Sequence, residues 1–192
     1  MQKAPLTFYL VYRDKIGEMF KRCLGGQMKI GELRGKLVTL KPLEDSFFPQ
    51  YVKMFSPKVR ALLHVSSQES EIEYLQHRIG KQKKGETFFY CIFDNKENKL
   101  IGAIEIRNPQ EASSQLYSWL NEAYWGTGMY QEALTLLSRE YFNKTEEHFY
   151  RADVDVDNKR SYHALKKHGF IDVGIGKGPH GKQYRLIFRK KS

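Results

Sequence analysis

Residues 124–134, with the sequence YWGTGMYQEAL, place two glycines one residue apart directly before a predicted helix. The start of a helix offers unpaired backbone N–H groups and a partial positive charge, and glycines let the main chain approach a ligand closely. The stretch is therefore typical of a loop that holds the phosphates of a ligand. Apolar residues at helical spacing predict the helix itself: Tyr130, Ala133, Leu134, Leu137 and Tyr141.

The elements predicted on either side of this stretch form an α/β fold. Before it, three apolar runs predict an antiparallel meander of strands at residues 87–94, 99–108 and 114–120. After it, residues 149–156 predict a strand parallel to the last strand of the meander, because a strand–helix–strand unit connects parallel neighbours. The other predicted elements are a strand at 36–43, helices at 44–55, 69–84 and 158–168, the run GFIDVGIG from residue 169, and a final strand at 183–191.

Two known phosphate-binding patterns fit the glycines of this chain poorly. The dinucleotide-binding pattern GxGxxG has Gln131 in place of its third glycine, and here it follows a meander rather than opening a βαβ series. Residues 176–183, GKGPHGKQ, have the spacing of a P-loop, but Gln183 stands at the Ser or Thr position and leads into a strand. We therefore predict a glycine-rich hairpin turn at the second site.

The composition fits one basic domain. The chain has 192 residues, 41% of them hydrophobic, and its formal charge of +10 should attract anions such as nucleic acid, acidic protein or a phosphate-rich cofactor. Cys23 and Cys91 have no disulfide or metal spacing, and the histidines do not form a metal-binding pattern either. The apolar run at residues 6–11 is too short for a signal segment or a membrane span. We expect a soluble, cytoplasmic protein without a metal.

The order of these elements resembles the GNAT superfamily of acetyl-CoA-dependent N-acetyltransferases, and most of all its branch that acetylates ribosomal-protein N-termini. Two separated motifs carry the resemblance, the glycine loop and the segment VDNKRSYHALKKHGF at residues 156–170. The matching positions are Gly126, Gly128, Asn158, Ser161, Gly169 and Phe170. The resemblance implies a mixed, mostly antiparallel sheet of about six to seven strands flanked by about four helices. It places the GNAT domain at residues 36–192, after an N-terminal extension at 1–35.

The resemblance also implies that acetyl-CoA is the co-substrate. In the family, backbone N–H groups of the glycine loop wrap the pyrophosphate, and a backbone N–H near Leu120 would stabilise the oxyanion where two strands splay apart. Ala123 stands where the family usually has Gln or Arg. This difference matters little if backbone N–H groups bind the pyrophosphate. Core packing is the alternative for Trp125, and helix capping for Asn158. The implied binding residues are Leu120, Trp125, Gly126, Thr127, Gly128, Met129 and Asn158.

Catalysis requires a base for the amine and an acid for the departing thiolate. The glutamate that many relatives use as the base corresponds to Gln115, so Glu105 is the best remaining carboxylate, although an exposed strand face would also explain it. The tyrosine that many relatives use as the acid corresponds to Leu165. Some ribosomal-protein acetyltransferases are thought to use a serine at the Ser161 position, which makes Ser161 the candidate acid.

The expected function is therefore acetyl transfer from acetyl-CoA to a primary amine, with a protein N-terminus as the favoured acceptor. A positive final hairpin would repel a polycation, which argues against polyamines. A small-molecule amine is one alternative acceptor. The other alternative is a GNAT fold that binds acetyl-CoA or nucleic acid without catalysis, although we expect no nucleic-acid partner. Either a monomer or a homodimer fits the sequence.

Overall fold

The computed structural model describes residues 30–63, 66–111, 114–177 and 183–191. The strands are β1 (Leu33–Arg34), β2 (Val38–Pro42), β3 (Thr87–Asp94), β4 (Lys99–Arg107), β5 (Gln115–Leu120), β6 (Phe149–Asp155), β7 (Ile171–Lys177) and β8 (Gln183–Lys190). The helices are α1 (Phe48–Lys53), α2 (Pro57–Leu63), α3 (Gln68–Lys83), α4 (Met129–Lys144) and α5 (Lys159–Lys167), with short 3-10 turns at Asp45–Phe47 and Glu122–Tyr124. The fold is the predicted α/β type.

All eight strands belong to one sheet in the order β1-β2-β3-β4-β5-β6-β8-β7. Neighbouring strands are antiparallel except β5 and β6, which are parallel because α4 connects them. The predicted meander of β3, β4 and β5 and the parallel crossover are both confirmed. β7 and β8 form the predicted hairpin, with Lys177 paired to Gln183 on either side of residues 178–182, which lie outside the described residues.

The sheet has eight strands rather than the predicted six to seven, and the described residues form five α-helices rather than about four. Three local features also differ from the prediction. The predicted helix at 44–55 consists of a 3-10 turn and α1, and α2 follows as a separate helix from Pro57. Proline disfavours a helical residue before it and removes a backbone donor, so the chain ends one helix and begins another there. Earlier in the chain, Leu33 pairs with Leu40, so the sheet begins within the predicted extension. Residues 1–29 of that extension lie outside the described part.

The core lies on the two faces of the sheet. β4 shows the division, since Ile104 and Ile106 pack in the cluster that contains α4, while Ala103 packs in the cluster that contains α1 and α3. Glu105 shares the second face and is 2% exposed, so the alternative of an exposed strand face for Glu105 is wrong. Within the described ranges, no helix is long and apolar enough to cross a membrane, and no group of side chains could hold a metal ion.

One carboxylate joins α4 to the start of β2. Glu132 accepts hydrogen bonds from the backbone N–H groups of Lys36, Leu37 and Val38 at 2.9, 2.7 and 2.8 Å. The main chain approaches the carboxylate closely here, since a Cβ at Gly35 would lie 2.6 Å from the Glu132 carboxylate. Glu132 therefore fixes the edge of the sheet against the helix that begins at the glycine loop.

Replacing Glu132 with alanine should lower the free energy of unfolding by about 1.5–3 kcal/mol, because charge-assisted hydrogen bonds are lost and the N–H groups keep no equivalent acceptor. Urea unfolding followed by circular dichroism measures the loss. Glu140→Ala is the matched control on the same helix, since Glu140 forms an ion pair with Lys144 one turn away at 3.4 Å and such a pair contributes about 0.5 kcal/mol or less. Equal losses in the two variants would contradict this account of the Glu132 junction.

Candidate functional site

The sheet opens between β5 and β6. Within the described residues these strands are in register at one position, where Gln115 is paired with Arg151. Beyond it β5 continues alongside β4 to Leu120, while β6 continues alongside β8. The strands therefore diverge like a wedge, and backbone groups that would normally bond to a neighbouring strand face the gap.

The wedge contains a cavity of about 600 Å³. Its walls come from α2, the end of β5, the loop before α4, and the beginnings of α4 and α5. None of the described lining residues is acidic, while Arg160 and Lys167 are basic, so the cavity suits an anionic ligand. The lining includes six of the seven residues predicted to bind the co-substrate: Leu120, Trp125, Gly126, Thr127, Gly128 and Asn158.

The glycine loop forms one end of this cavity. Gly126 and Gly128 have φ values of 81° and 86°, a left-handed conformation that other residues rarely adopt. Among the described residues, no atom beyond the adjacent residues lies within 4 Å of a Cβ placed on Gly126, so the space beside this backbone is open. The first helical bond of α4 runs from the Glu132 N–H to the Gly128 carbonyl at 3.1 Å, which leaves the preceding N–H groups without helical acceptors. Backbone donors and a helix dipole therefore converge on one open space.

Leu120 and Trp125 form the wall next to the loop. The Asn121 N–H donates to the Ile101 carbonyl on β4, and successive N–H groups of a strand alternate in direction, so the Leu120 N–H points into the gap. The Leu120 carbonyl accepts a hydrogen bond from Trp125 Nε1 at 2.8 Å. The Trp125 ring is also contacted by two cations, with the Arg160 guanidinium carbon 3.2 Å and Lys58 Nζ 5.0 Å from its centroid. Trp125 thus packs partly against the core and also lines the cavity.

Asn158 and Ser161 lie on the opposite wall, at the start of α5. The Asn158 side chain caps the helix by accepting from the Ser161 N–H at 3.2 Å, which confirms the capping alternative without excluding ligand contact. Both residues line the cavity. The structure therefore brings Ser161 together with the glycine loop, although the two are separated by more than 30 residues in sequence.

Two hydroxyl groups in the wedge were missed by the sequence analysis. Ser118 Oγ on β5 and Tyr130 Oη on α4 lie 2.6 Å apart and line the cavity. Burial raises the pKa of Tyr130 to about 12, so its hydroxyl stays protonated at neutral pH and can donate a hydrogen bond. The sequence shows that both residues lie close to the glycine loop along the chain. A tyrosine on a helix face, however, predicts core packing first.

Glu105 lies outside this cavity, in a buried polar network. Its Oε1 accepts from Arg78 and from Thr87 Oγ1, the latter at 2.6 Å. Its Oε2 accepts from Arg107 Nε at 3.0 Å and from the Tyr74 hydroxyl at 3.4 Å. A carboxylate offers about four lone-pair positions, and donors approach all of them.

The role of Glu105 as general base stays a prediction, but this geometry counts against it. A base needs a free lone pair directed at the substrate proton. The donors instead make Glu105 the common acceptor that holds α3, β3 and β4 together. Gln115 has a similar bridging position, since its Nε2 donates to Asp153 at 3.0 Å across the β5–β6 junction.

The family comparison agrees with this geometry. The model of the acetyltransferase (GNAT) domain family matches residues 38–171. A ribosomal-protein-serine acetyltransferase of Escherichia coli (strain K12) is 29% identical over 112 residues, which cover 57% of this chain and 62% of that relative. The match therefore spans less than two thirds of the relative.

Solved structures share the fold over most of the chain. RimL, a ribosomal L7/L12 alpha-N-protein acetyltransferase in complex with coenzyme A, has a TM-score of 0.72 at 20% identity, covering 83% of this chain and 97% of that one. The acetyltransferase of Salmonella typhimurium that modifies the N-terminal serine of ribosomal protein L7/L12 has a TM-score of 0.71 at 18% identity, covering 82% and 97%. MccE, a microcin C7 self-immunity acetyltransferase in complex with acetyl-CoA and AMP, has a TM-score of 0.70 at 14% identity, covering 82% and 94%.

Proposed function

The chain belongs to the GNAT acetyltransferase family, and on that premise we propose that it transfers an acetyl group from acetyl-CoA to the amino group of a protein N-terminus. One observation carries the proposal. The wedge between β5 and β6 joins an open, glycine-lined helix start to a free strand N–H and a serine hydroxyl in a single cavity. The proposed acceptor follows from the similar protein of Escherichia coli, a ribosomal-protein-serine acetyltransferase.

The residues of the cavity fit coenzyme A. The open space beside Gly126 suits a pyrophosphate, because the adjacent N–H groups and the α4 dipole stabilise negative charge. Arg160 and Lys167 add positive charge to the same cavity. The gap at Leu120 would admit the narrow pantetheine arm, and the bound arm would extend the edge of β5. When bound, acetyl-CoA supplies an acetyl group activated as a thioester.

The chain's own groups then assist the transfer at two points. The Leu120 N–H would donate to the thioester carbonyl oxygen as negative charge develops on it, a type of stabilisation that is often the largest catalytic contribution. The Ser161 hydroxyl would give a proton to the departing sulfur. Ser118 and Tyr130 hold hydroxyls in the same wedge and would help to orient the reacting groups.

Replacing Ser161 with alanine should lower kcat at least tenfold, because general acid assistance commonly contributes a factor of about 10² or more. The KM for acetyl-CoA should change less than about twofold, since the residues proposed to bind the pyrophosphate are unchanged. Thiol release from acetyl-CoA, measured with a serine-first octapeptide as acceptor, reports both quantities.

Thr135→Ala is the matched control for Ser161→Ala. Thr135 is an exposed helical residue on α4 whose hydroxyl bonds to the Gln131 carbonyl at 2.9 Å, and it does not line the cavity. Its replacement should leave kcat unchanged. A Ser161→Ala variant as active as the parent would remove Ser161 from the mechanism. A parent that binds coenzyme A but releases no thiol with any amine would instead favour a non-catalytic binding module.

A further inference from the structure

A second cavity of about 400 Å³ lies beside the first, on the α1–α3 side of the molecule. The two cavities have Leu63, Ser118 and Trp119 in common, so they meet at the wedge between β5 and β6. An acceptor in the second cavity could therefore reach an acetyl group in the first. Aromatic rings attract cations through their π faces, and five aromatic side chains line this second cavity: Tyr51, Tyr74, Phe89, Tyr117 and Trp119.

Glu71 is the second carboxylate of this cavity. It lies in the first turn of α3, half buried, and lines the cavity wall. Among the described residues, no hydrogen bond or ion pair engages its side chain. Burial raises the pKa of Glu71 above its ordinary value. Glu71 thus has free lone pairs, which Glu105 lacks, together with a raised affinity for protons.

The charges around the cavity favour one added cation over several. Arg78 and Arg107 both pair with Glu105, so this trio carries one net positive charge, and Arg107 stacks on Tyr117 with its guanidinium carbon 3.5 Å from the ring centroid. Glu71 is the carboxylate left to balance a ligand. The titratable and charged groups that line the cavity with it are Tyr51 on α1, Tyr74 on α3, Glu105 and Arg107 on β4, and Tyr117 on β5.

We propose that Glu71 binds the ammonium group of the acceptor in the second cavity and accepts its proton, with a monocationic primary amine such as a peptide N-terminus as the substrate class. This inference rests on the proposed acetyltransferase function. The ammonium gives one proton to the Glu71 carboxylate, and the neutral nitrogen attacks the thioester carbonyl carbon. The C–N bond forms, the C–S bond breaks, and the sulfur leaves with a proton from Ser161. The second proton of the attacking nitrogen then restores the Ser161 hydroxyl, and Glu71 releases its proton to solvent.

Glu71→Gln tests the proposal because it keeps the shape of the side chain and removes its charge. With the serine-first octapeptide, kcat/KM should fall about 100-fold, the usual size of a general-base contribution. The parent rate should rise with pH through the titration of Glu71 and then level off. The variant should rise about tenfold per pH unit instead, because it depends on amine already deprotonated in solution. Spermidine should be a poor acceptor for both proteins.

Glu69→Gln is the matched control, since Glu69 is an exposed carboxylate in the same first turn of α3 and does not line the cavity. Glu69→Gln should have the same kcat/KM and the same pH dependence as the parent. Calorimetric titration of the octapeptide into protein saturated with coenzyme A gives a readout independent of turnover, and affinity should fall about tenfold in Glu71→Gln alone. A Glu71→Gln variant that binds and turns over peptide like the parent overturns the inference, as does an equal loss of coenzyme A affinity. Peptide binding that depends on Glu71 without thiol release would support the inference and contradict the proposed function.

Discussion

Replacing Glu105 with alanine is expected to lower the free energy of unfolding by about 3–5 kcal/mol, because Arg78 then keeps a buried charge without its partner. Arg78 and Glu105 have side chains only 9% and 3% exposed, so water cannot replace the lost contacts. The melting temperature should fall by about 10 °C for a domain of this size. Urea unfolding and calorimetry measure the two quantities.

Glu86→Ala provides the comparison for the Glu105 network. Glu86 pairs with Lys81, which lies on α3 as Arg78 does. Both side chains of this pair are more than a third exposed. An exposed pair contributes about 1 kcal/mol or less. If Glu105→Ala destabilises no more than Glu86→Ala, the buried network does not hold α3 to the sheet as described. A double variant, Arg78→Met with Glu105→Met, should recover part of the loss, because it removes the buried Arg78 charge together with its partner. Arg107 also loses its partner, but its side chain is 29% exposed.

Replacing Gly126 with valine is expected to weaken coenzyme A binding about 100-fold or more. The added side chain would fill the open space beside the loop, where the pyrophosphate is proposed to lie. Losing two charge-assisted hydrogen bonds at about 1.5 kcal/mol each corresponds to roughly that factor. Isothermal titration with coenzyme A measures the affinity directly.

Gly174→Val separates this effect from backbone strain. Gly174 on β7 also has a positive φ, 135°, with no protein atom within 4 Å of an added Cβ, and it does not line the cavity. Both substitutions should therefore lower the free energy of unfolding, for the same conformational reason. Only Gly126→Val should have a lower affinity for coenzyme A. Similar affinities in the two variants would place the pyrophosphate elsewhere.

The sequence predicts most of the sheet because most of its strands carry a local signal, whereas β1 has two residues and was missed. The continuous apolar run of β3 is buried at every residue, as its position between β2 and β4 requires. The glycine loop is equally local, since Gly126 and Gly128 stand directly before the helix whose dipole they expose. Helix α2 was missed because its seven residues from Pro57 are too few to show a period.

The environments of the carboxylates could not be predicted in the same way. Glu105 owes its partners to Arg78, 27 residues earlier on another element, and strand alternation gives no information about which side chain a helix will place opposite. Glu71 stands among other acidic residues at the start of α3, where sequence alone suggests only a solvated helix face. The distinction between a saturated carboxylate and a free one arises only from tertiary packing.

The central claim is that this chain moves an acetyl group from acetyl-CoA to a peptide amine. Mass spectrometry of a serine-first octapeptide, incubated with acetyl-CoA and the 192-residue protein, tests it most directly. We expect the peptide to gain the mass of one acetyl group at its N-terminus, and the gain to disappear with Gly126→Val and with an N-terminally blocked peptide. An unmodified peptide, together with no thiol release on a panel of other primary amines, would contradict the claim.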